Sequence, residues 1–188
     1  MPINPISNFS PITNEDALGI MRNMNRTFCQ NDPFDIKKVN TDDLVTLSEY
    51  FADIANLSFL SGEFPDSEKY AYITPLLKKD GDPDEFSSYR PLYKTSFLSK
   101  FLEKCVLEQI KDHINNFECL PWFQSAYREF HSVETALCRV HNDLCKAISQ
   151  SECSILILLD LSAAFDTIDR KLLLDDLKEW GIDGKALQ

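Results

Sequence analysis

The segment Cys153–Asp160, CSILILLD, constrains this chain more than any other. It is unbroken apolar sequence from Ile155 to Leu159 and then stops on a carboxylate. Such a run is too short for a helix and far short of the roughly 20 residues a membrane-spanning helix needs. It suits a strand buried on both faces, as in the sheets of α/β proteins. The segment therefore predicts a strand whose C-terminal end, where a sheet opens to solvent, carries Asp160. After a turn, Asp169 is placed to cap a last helix with the apolar stripe Leu172, Leu173, Leu177 and Trp180, closed by Gly181.

Upstream the chain reads as helices around one strand. Residues 1–40 are rich in Asn, Pro, Ser and Asp and predict loop with a short helix near Asp16–Arg26. Asp42–Leu60 repeats Leu44, Leu47, Phe51, Ile54, Ala55 and Leu57–Ser58 at helical spacing, with Thr41 as the expected cap and Gly62 as the stop. Tyr70–Leu77 reads as a strand interrupted by Pro75, hence bulged or at an edge, and KKDGDPDEFSSYRP reads as a hairpin tip. Ser96–Ile114 is helical again along Leu98, Phe101, Leu102, Cys105, Val106, Ile110 and Ile114. Ser132 is the expected cap of a helix running to about Ser149. The reading gives an N-terminal extension, residues 1–43, and a mixed α/β (α+β) unit, residues 44–188.

The formal charge of −11 argues against a general nucleic-acid binder, since phosphate contact is driven by lysine and arginine. The charge is uneven. Residues 69–104 carry seven basic and five acidic side chains, a net of +2, so the middle of the chain is the part that could face phosphate. The opening MPINPISNFS has neither the basic start nor the apolar stretch of a signal peptide, and an intracellular protein is expected. No pair of the six cysteines has C-x-x-C spacing, so free and mostly buried thiols are expected. Cys138, His141 and Cys145 share a helix face with Val133, Leu137, Val140 and Leu144, and read as core packing rather than a metal site.

A carboxylate fixed at a strand end can hold a metal ion; it can also simply solvate that end. Two-metal nucleotidyl transfer needs further carboxylates converging on ions about 3.5–4 Å apart. Asp42-Asp43 opens a helix and Asp175-Asp176 lies within one, and neither pair sits in a hairpin that could face Asp160. Two other carboxylate chemistries fail on spacing. The run from Asp80 to Asp84 begins like a calcium loop but has Glu85 and Pro91 where that loop needs Gly and Glu. A phosphatase nucleophile at Asp160 would want a second acid where Ser162 stands.

Several segments taken together are recognisable. LLDLSAAFDTIDRKLLLDDL resembles the first palm motif of the reverse transcriptases of non-long-terminal-repeat (LINE-type) retrotransposons. ITPLLKKDGDPDEFSSYRPL resembles their fingers segment, SFLSKFLEKCVLEQI the helix after it, and QSAYREFHSVETAL a later stretch of the same group. The resemblance runs from about residue 44 to the end, in the family's order, and implies a partial right-hand polymerase fold of fingers and first palm segment.

It also implies roles. Asp160 matches the first metal-binding catalytic aspartate, with the backbone carbonyl of Leu161 beside it, and the expected cofactor is Mg2+. Phe165 matches the ring that disfavours a 2′-hydroxyl on the incoming sugar. Lys79 and Arg90 match basic positions that steady the triphosphate. Gln124 and Arg128 fall in a segment near nucleotide and template. Lys78 reads as a solvated turn residue. The implied partners are an RNA template, a DNA primer and deoxynucleotide triphosphates, with no membrane.

The chain also departs from the family pattern. Ala126 stands where many relatives carry glycine, Glu129-Phe130 replaces a Pro-Gly-like turn, and Tyr93-Lys94 replaces a small polar pair. The aromatic-Ala-Asp-Asp motif, the thumb and a preceding endonuclease are not found. The expectation is a fragment of an RNA-directed DNA polymerase, inactive alone; the alternative is a catalytically dead remnant with at most nucleic-acid binding.

Overall fold

The computed structural model describes residues 5–30, 32–161 and 164–188. Five α-helices and one hairpin order these residues: α1 (Asn14–Asn23), α2 (Thr41–Ser61), β1 (Tyr72–Leu77), β2 (Tyr89–Lys94), α3 (Phe97–Asn116), α4 (Val133–Ser149) and α5 (Arg170–Glu179). The mixed helix-and-strand class matches the expectation. Each helix starts on a side-chain cap that takes otherwise unpaired backbone N–H groups. Thr13 and Asp16 form a capping box at α1, as do Ser132 and Thr135 at α4. Ser96 caps α3, and Asp169 accepts from Lys171 and Leu172 at α5. The cap of α2 is Asn40, whose side chain accepts from Asp43 N, not Thr41, which is the first helical residue. Gly62 ends α2 in the left-handed conformation, with φ of 74°.

The core lies where α1, α2 and α3 meet. Met21, Ile36, Leu44, Phe101 and Leu102 are buried to 2% exposure or less, and Phe51 packs on Phe97 and Phe101 with ring centroids 6.1 and 5.3 Å apart. Burying each large side chain of this kind contributes about 1.5–3 kcal/mol. Burial also pushes the Cys105 thiol up to about 12. Two side-chain amides bind the chain's start to this core. Asn56 accepts from Ile12 N at 2.8 Å and donates to Ile12 O at 2.9 Å. Gln109 does the same for Ser10, at 2.7 and 3.1 Å. Ile12, Ala17, Met21 and Ile36 thus share one core with α2 and α3. Ile6 then pairs in parallel with Ile182, which ties the segment after α5 to the same strap.

The hairpin is regular. β1 and β2 run antiparallel with Pro75 opposite Pro91. Lys78 N donates to Ser88 O at 2.8 Å, and the alternation of an antiparallel ladder then makes Pro75–Pro91 a pair whose N–H positions point outward. Two edge strands can therefore each hold a proline without losing a ladder bond. The edge alternative for Pro75 is correct, and the register contains no bulge.

Three expectations of burial fail. Cys153–Leu159 is not a strand: it has no regular secondary structure, and Ile155, Ile157, Leu158 and Leu159 are 74–90% exposed. An apolar run becomes a buried strand only against neighbouring strands, and among the described residues the two hairpin strands form a sheet by themselves. The apolar face of α4 is likewise uncovered, with Val133 and Leu137 exposed. The cysteines are all free as expected, but only Cys29 and Cys105 are buried, while Cys138, Cys145 and Cys153 are exposed.

Candidate functional site

The expected site residues lie on three parts of the chain. The first is the hairpin. Strand alternation puts Tyr72, Leu76, Arg90, Leu92 and Lys94 on one face and Ile73, Leu77, Tyr89, Pro91 and Tyr93 on the other. Arg90 is exposed on the first of these faces. Lys94, two pleats further along, shares that face; sequence reasoning passed over it, although its spacing from Arg90 was a sufficient signal. Lys79 is exposed in the turn after β1. Lys78 closes the tip instead, its ammonium donating to Ser87 O at 2.7 Å. Asp82 accepts from Asp84 N at 2.9 Å, so the acidic tip is partly occupied with its own turn.

The second part is the loop between α3 and α4. Arg128 Nη1 donates to Pro121 O at 3.2 Å and to Gln124 O at 3.5 Å, which brings the two expected residues together. Arg139 on α4 donates to Trp122 O and lies over the Phe123 ring, 5.9 Å from its centroid. Tyr127 and Phe130 hold left-handed backbone, with φ of 61° and 60°.

The third part joins α4 to α5. Asp160, Leu161 and Phe165 are exposed here, and among the described residues no hydrogen bond or ion pair links them to the hairpin or to the loop of Arg128. The expected neighbours Ser162 and Ala163 lie outside the described residues. A divalent ion needs several oxygen donors at one point. Among the described residues no group of three or more His, Cys, Asp or Glu side chains is placed to hold one. His141 and Cys145 do approach on α4, at 3.7 Å, but as an exposed pair.

Chain order is what unites the three parts: basic hairpin, Gln-to-Arg loop, then the aspartate with an aromatic residue five positions on. A family model described as reverse transcriptase (RNA-dependent DNA polymerase) matches residues 76–188, and so spans all three. The chain belongs to the reverse transcriptase family. Among its relatives is the RNA-directed DNA polymerase from mobile element jockey of Drosophila funebris, 31% identical over 119 residues, which cover 63% of this chain and 13% of the relative. Another is the probable RNA-directed DNA polymerase from transposon BS of Drosophila melanogaster, 29% identical over 131 residues, which cover 69% of this chain and 14% of the relative. The matched regions are thus 13–14% of the length of these relatives. No solved structure matches the chain. The resemblance to LINE-type reverse transcriptases drawn from the sequence is borne out. No helix among the described residues is long and apolar enough to cross a membrane.

Proposed function

We propose that this reverse transcriptase segment supplies the nucleotide-binding fingers and the first catalytic aspartate of an RNA-directed DNA polymerase of a mobile element. The observation that carries the reading is the ordered set Lys79, Arg90, Gln124, Arg128, Asp160 and Phe165 within the family match at residues 76–188. On this reading Arg90 and Lys79 take the triphosphate of a deoxynucleotide, as fixed cations do in phosphoryl transfer. Gln124 and Arg128 line the path of nucleotide and RNA template. Phe165 excludes a 2′-hydroxyl by its volume. Asp160, with the Leu161 carbonyl, is this segment's share of a Mg2+ site that further carboxylates would have to complete. The substrates are deoxynucleotide triphosphates, an RNA template and a DNA primer.

A second reading, a remnant without catalysis that at most binds nucleic acid, is favoured by the exposed position of Asp160 on a segment without regular secondary structure. The purified chain is expected to bind a fluorescent deoxynucleotide triphosphate, and Arg90→Ala to weaken that binding at least tenfold. Unchanged affinity in Arg90→Ala would remove the fingers assignment. Primer extension on an RNA template separates the two readings. No extension is expected from this chain alone, and extension that Asp160→Ala abolished would overturn the remnant reading.

A further inference from the structure

The hairpin that carries Arg90 has almost no packing of its own. All six residues of β1 are exposed, and in β2 only Tyr89 is partly covered. The side-chain hydrogen bonds of the tip are internal, from Lys78 to Ser87 O and from Tyr89 to Pro83 O. Its direction relative to the helices is therefore set at its foot, where β2 runs through Lys94, Thr95 and Ser96 into α3.

Three groups from outside the hairpin meet that foot. The buried Cys29 thiol donates to Lys94 O at 3.4 Å. Asp32 Oδ1 accepts from Phe97 N, the first N–H of α3, at 2.6 Å, and Asp32 Oδ2 accepts from Cys29 N at 2.7 Å. Ser96 Oγ donates to Glu68, which stands on the other foot, just before β1. Hydrogen bonds to a carboxylate are short and strong, and this one lies at the N-terminus of α3, where negative charge is favoured. Asp32 thus joins the loop of Cys29 to the start of α3, and the Cys29 thiol carries the link on to the end of β2.

We infer that Asp32 is a positioning residue that aims the hairpin, and with it Arg90, through the junction of β2 and α3. The inference rests on the proposed triphosphate role of Arg90. The leverage is large. Arg90 lies four residues from Lys94, about 13 Å along a strand, so a tilt of roughly 15° at the foot moves it roughly 3 Å. A misplacement of about 1 Å can already cost on the order of 100-fold where a group must meet its target in a fixed geometry. Sequence alone gives no hint of this role, since Asp32 precedes the fingers segment by more than 40 residues.

The test uses the full chain with spectroscopic labels carried by unnatural amino acids at Asp84, on the tip, and Glu49, on the exposed side of α2. The label-to-label distance distribution and the affinity for a fluorescent deoxynucleotide triphosphate are both measured. Asp32→Ala should broaden the distribution and weaken affinity about tenfold, while Asp32→Asn, which keeps one acceptor, should recover part of both. Arg90→Ala should weaken affinity and leave the distribution narrow. A narrow distribution in Asp32→Ala overturns the positioning role. A broad one, with affinity indifferent to Arg90→Ala, supports the positioning role and removes the triphosphate assignment instead. Should Asp32→Ala fail to fold, Cys29→Ala must broaden the distribution and Cys29→Ser, which keeps a donor, must not; two narrow distributions overturn the inference.

Discussion

The chain before Asn116 and the chain after it are built differently. In the first, α1, α2 and α3 close over Met21, Leu44, Phe51 and Phe101, and even the start of the chain is held by the amides of Asn56 and Gln109. In the second, α4 and α5 have no buried residue, the apolar run Ile155–Leu159 faces solvent, and among the described residues Ile182 is the one buried hydrophobic side chain. The family match at residues 76–188 covers the second part and only one wall of the core. Stability and expected chemistry therefore reside in different places. The residues proposed to meet a nucleotide sit on surfaces that the core supports only through their ends.

The sharpest break in that comparison would be equal sensitivity of the two parts to truncation. Phe101→Ala should cost about 3–5 kcal/mol, the range for emptying a packed aromatic site. Leu158→Ala should stay within about 0.5 kcal/mol, as surface changes do. Urea unfolding of both variants checks this. The exposed run should show itself otherwise: the native chain is expected to bind a hydrophobic dye or self-associate, and Leu158→Asp to reduce both. A clean monomer that ignores the dye would mean that the run is covered.

Next in size is the strap. Asn56→Ala removes both bonds to Ile12 and leaves partly buried backbone groups without partners, a loss of roughly 2 kcal/mol. An unchanged unfolding midpoint would mean that residues 5–13 are not part of the cooperative unit.

An effect confined to alkaline pH follows from Cys105. Its thiol is pushed up from 9.0 to about 12 by burial. Above pH 9 the unfolded chain loses this proton and the folded chain keeps it, so stability falls as pH rises from about 9 toward 12. Cys105→Ala, whatever it costs at neutral pH, should flatten that part of the curve relative to the native chain. At neutral pH an alkylating reagent should take Cys138, Cys145 and Cys153 well before Cys105.

The same division decides what the sequence disclosed. Local signals were legible: Ser132 and Asp169 cap the helices they were expected to cap, Gly62 stops α2, and the hairpin lies where Pro75 and the Asp-rich tip suggested, while the cap of α2 fell one residue before the expected Thr41. The stripes of α2 and α3 hold Leu44, Phe51, Phe101 and Cys105, all in the core, but also Leu57, which is exposed. What failed depended on partners elsewhere in space. The run Ile155–Leu159 and the face of α4 carry the pattern of burial, but a pattern states what a segment could pack and not what stands beside it. The family resemblance was equally legible, because motif spacing is a property of the chain. The role inferred for Asp32 was not, because it arises only where a distant loop meets α3.

The smallest prediction has the opposite sign. Phe130 holds φ of 60° and is 99% exposed, at a place where the family pattern favours a Pro-Gly-like turn. Left-handed backbone costs a residue with a side chain about 1–2 kcal/mol, and a ring in open solvent returns no packing to offset it. Glycine relieves that cost but adds freedom to the unfolded chain, worth roughly 0.5–1 kcal/mol. Phe130→Gly should therefore stabilise the turn by at most about 1.5 kcal/mol. Because α4 is not packed into the core, global unfolding is a poor reporter. Amide exchange at Ala136, whose N–H bonds to Ser132 O at 3.1 Å in the first turn of α4, reads the effect directly. Slower exchange in Phe130→Gly is the expected result, and would mean that the departure from the family turn weakens the region that carries the proposed chemistry. Faster exchange would show that the Phe130 ring supports the loop, and would narrow the contrast between the two parts of the chain.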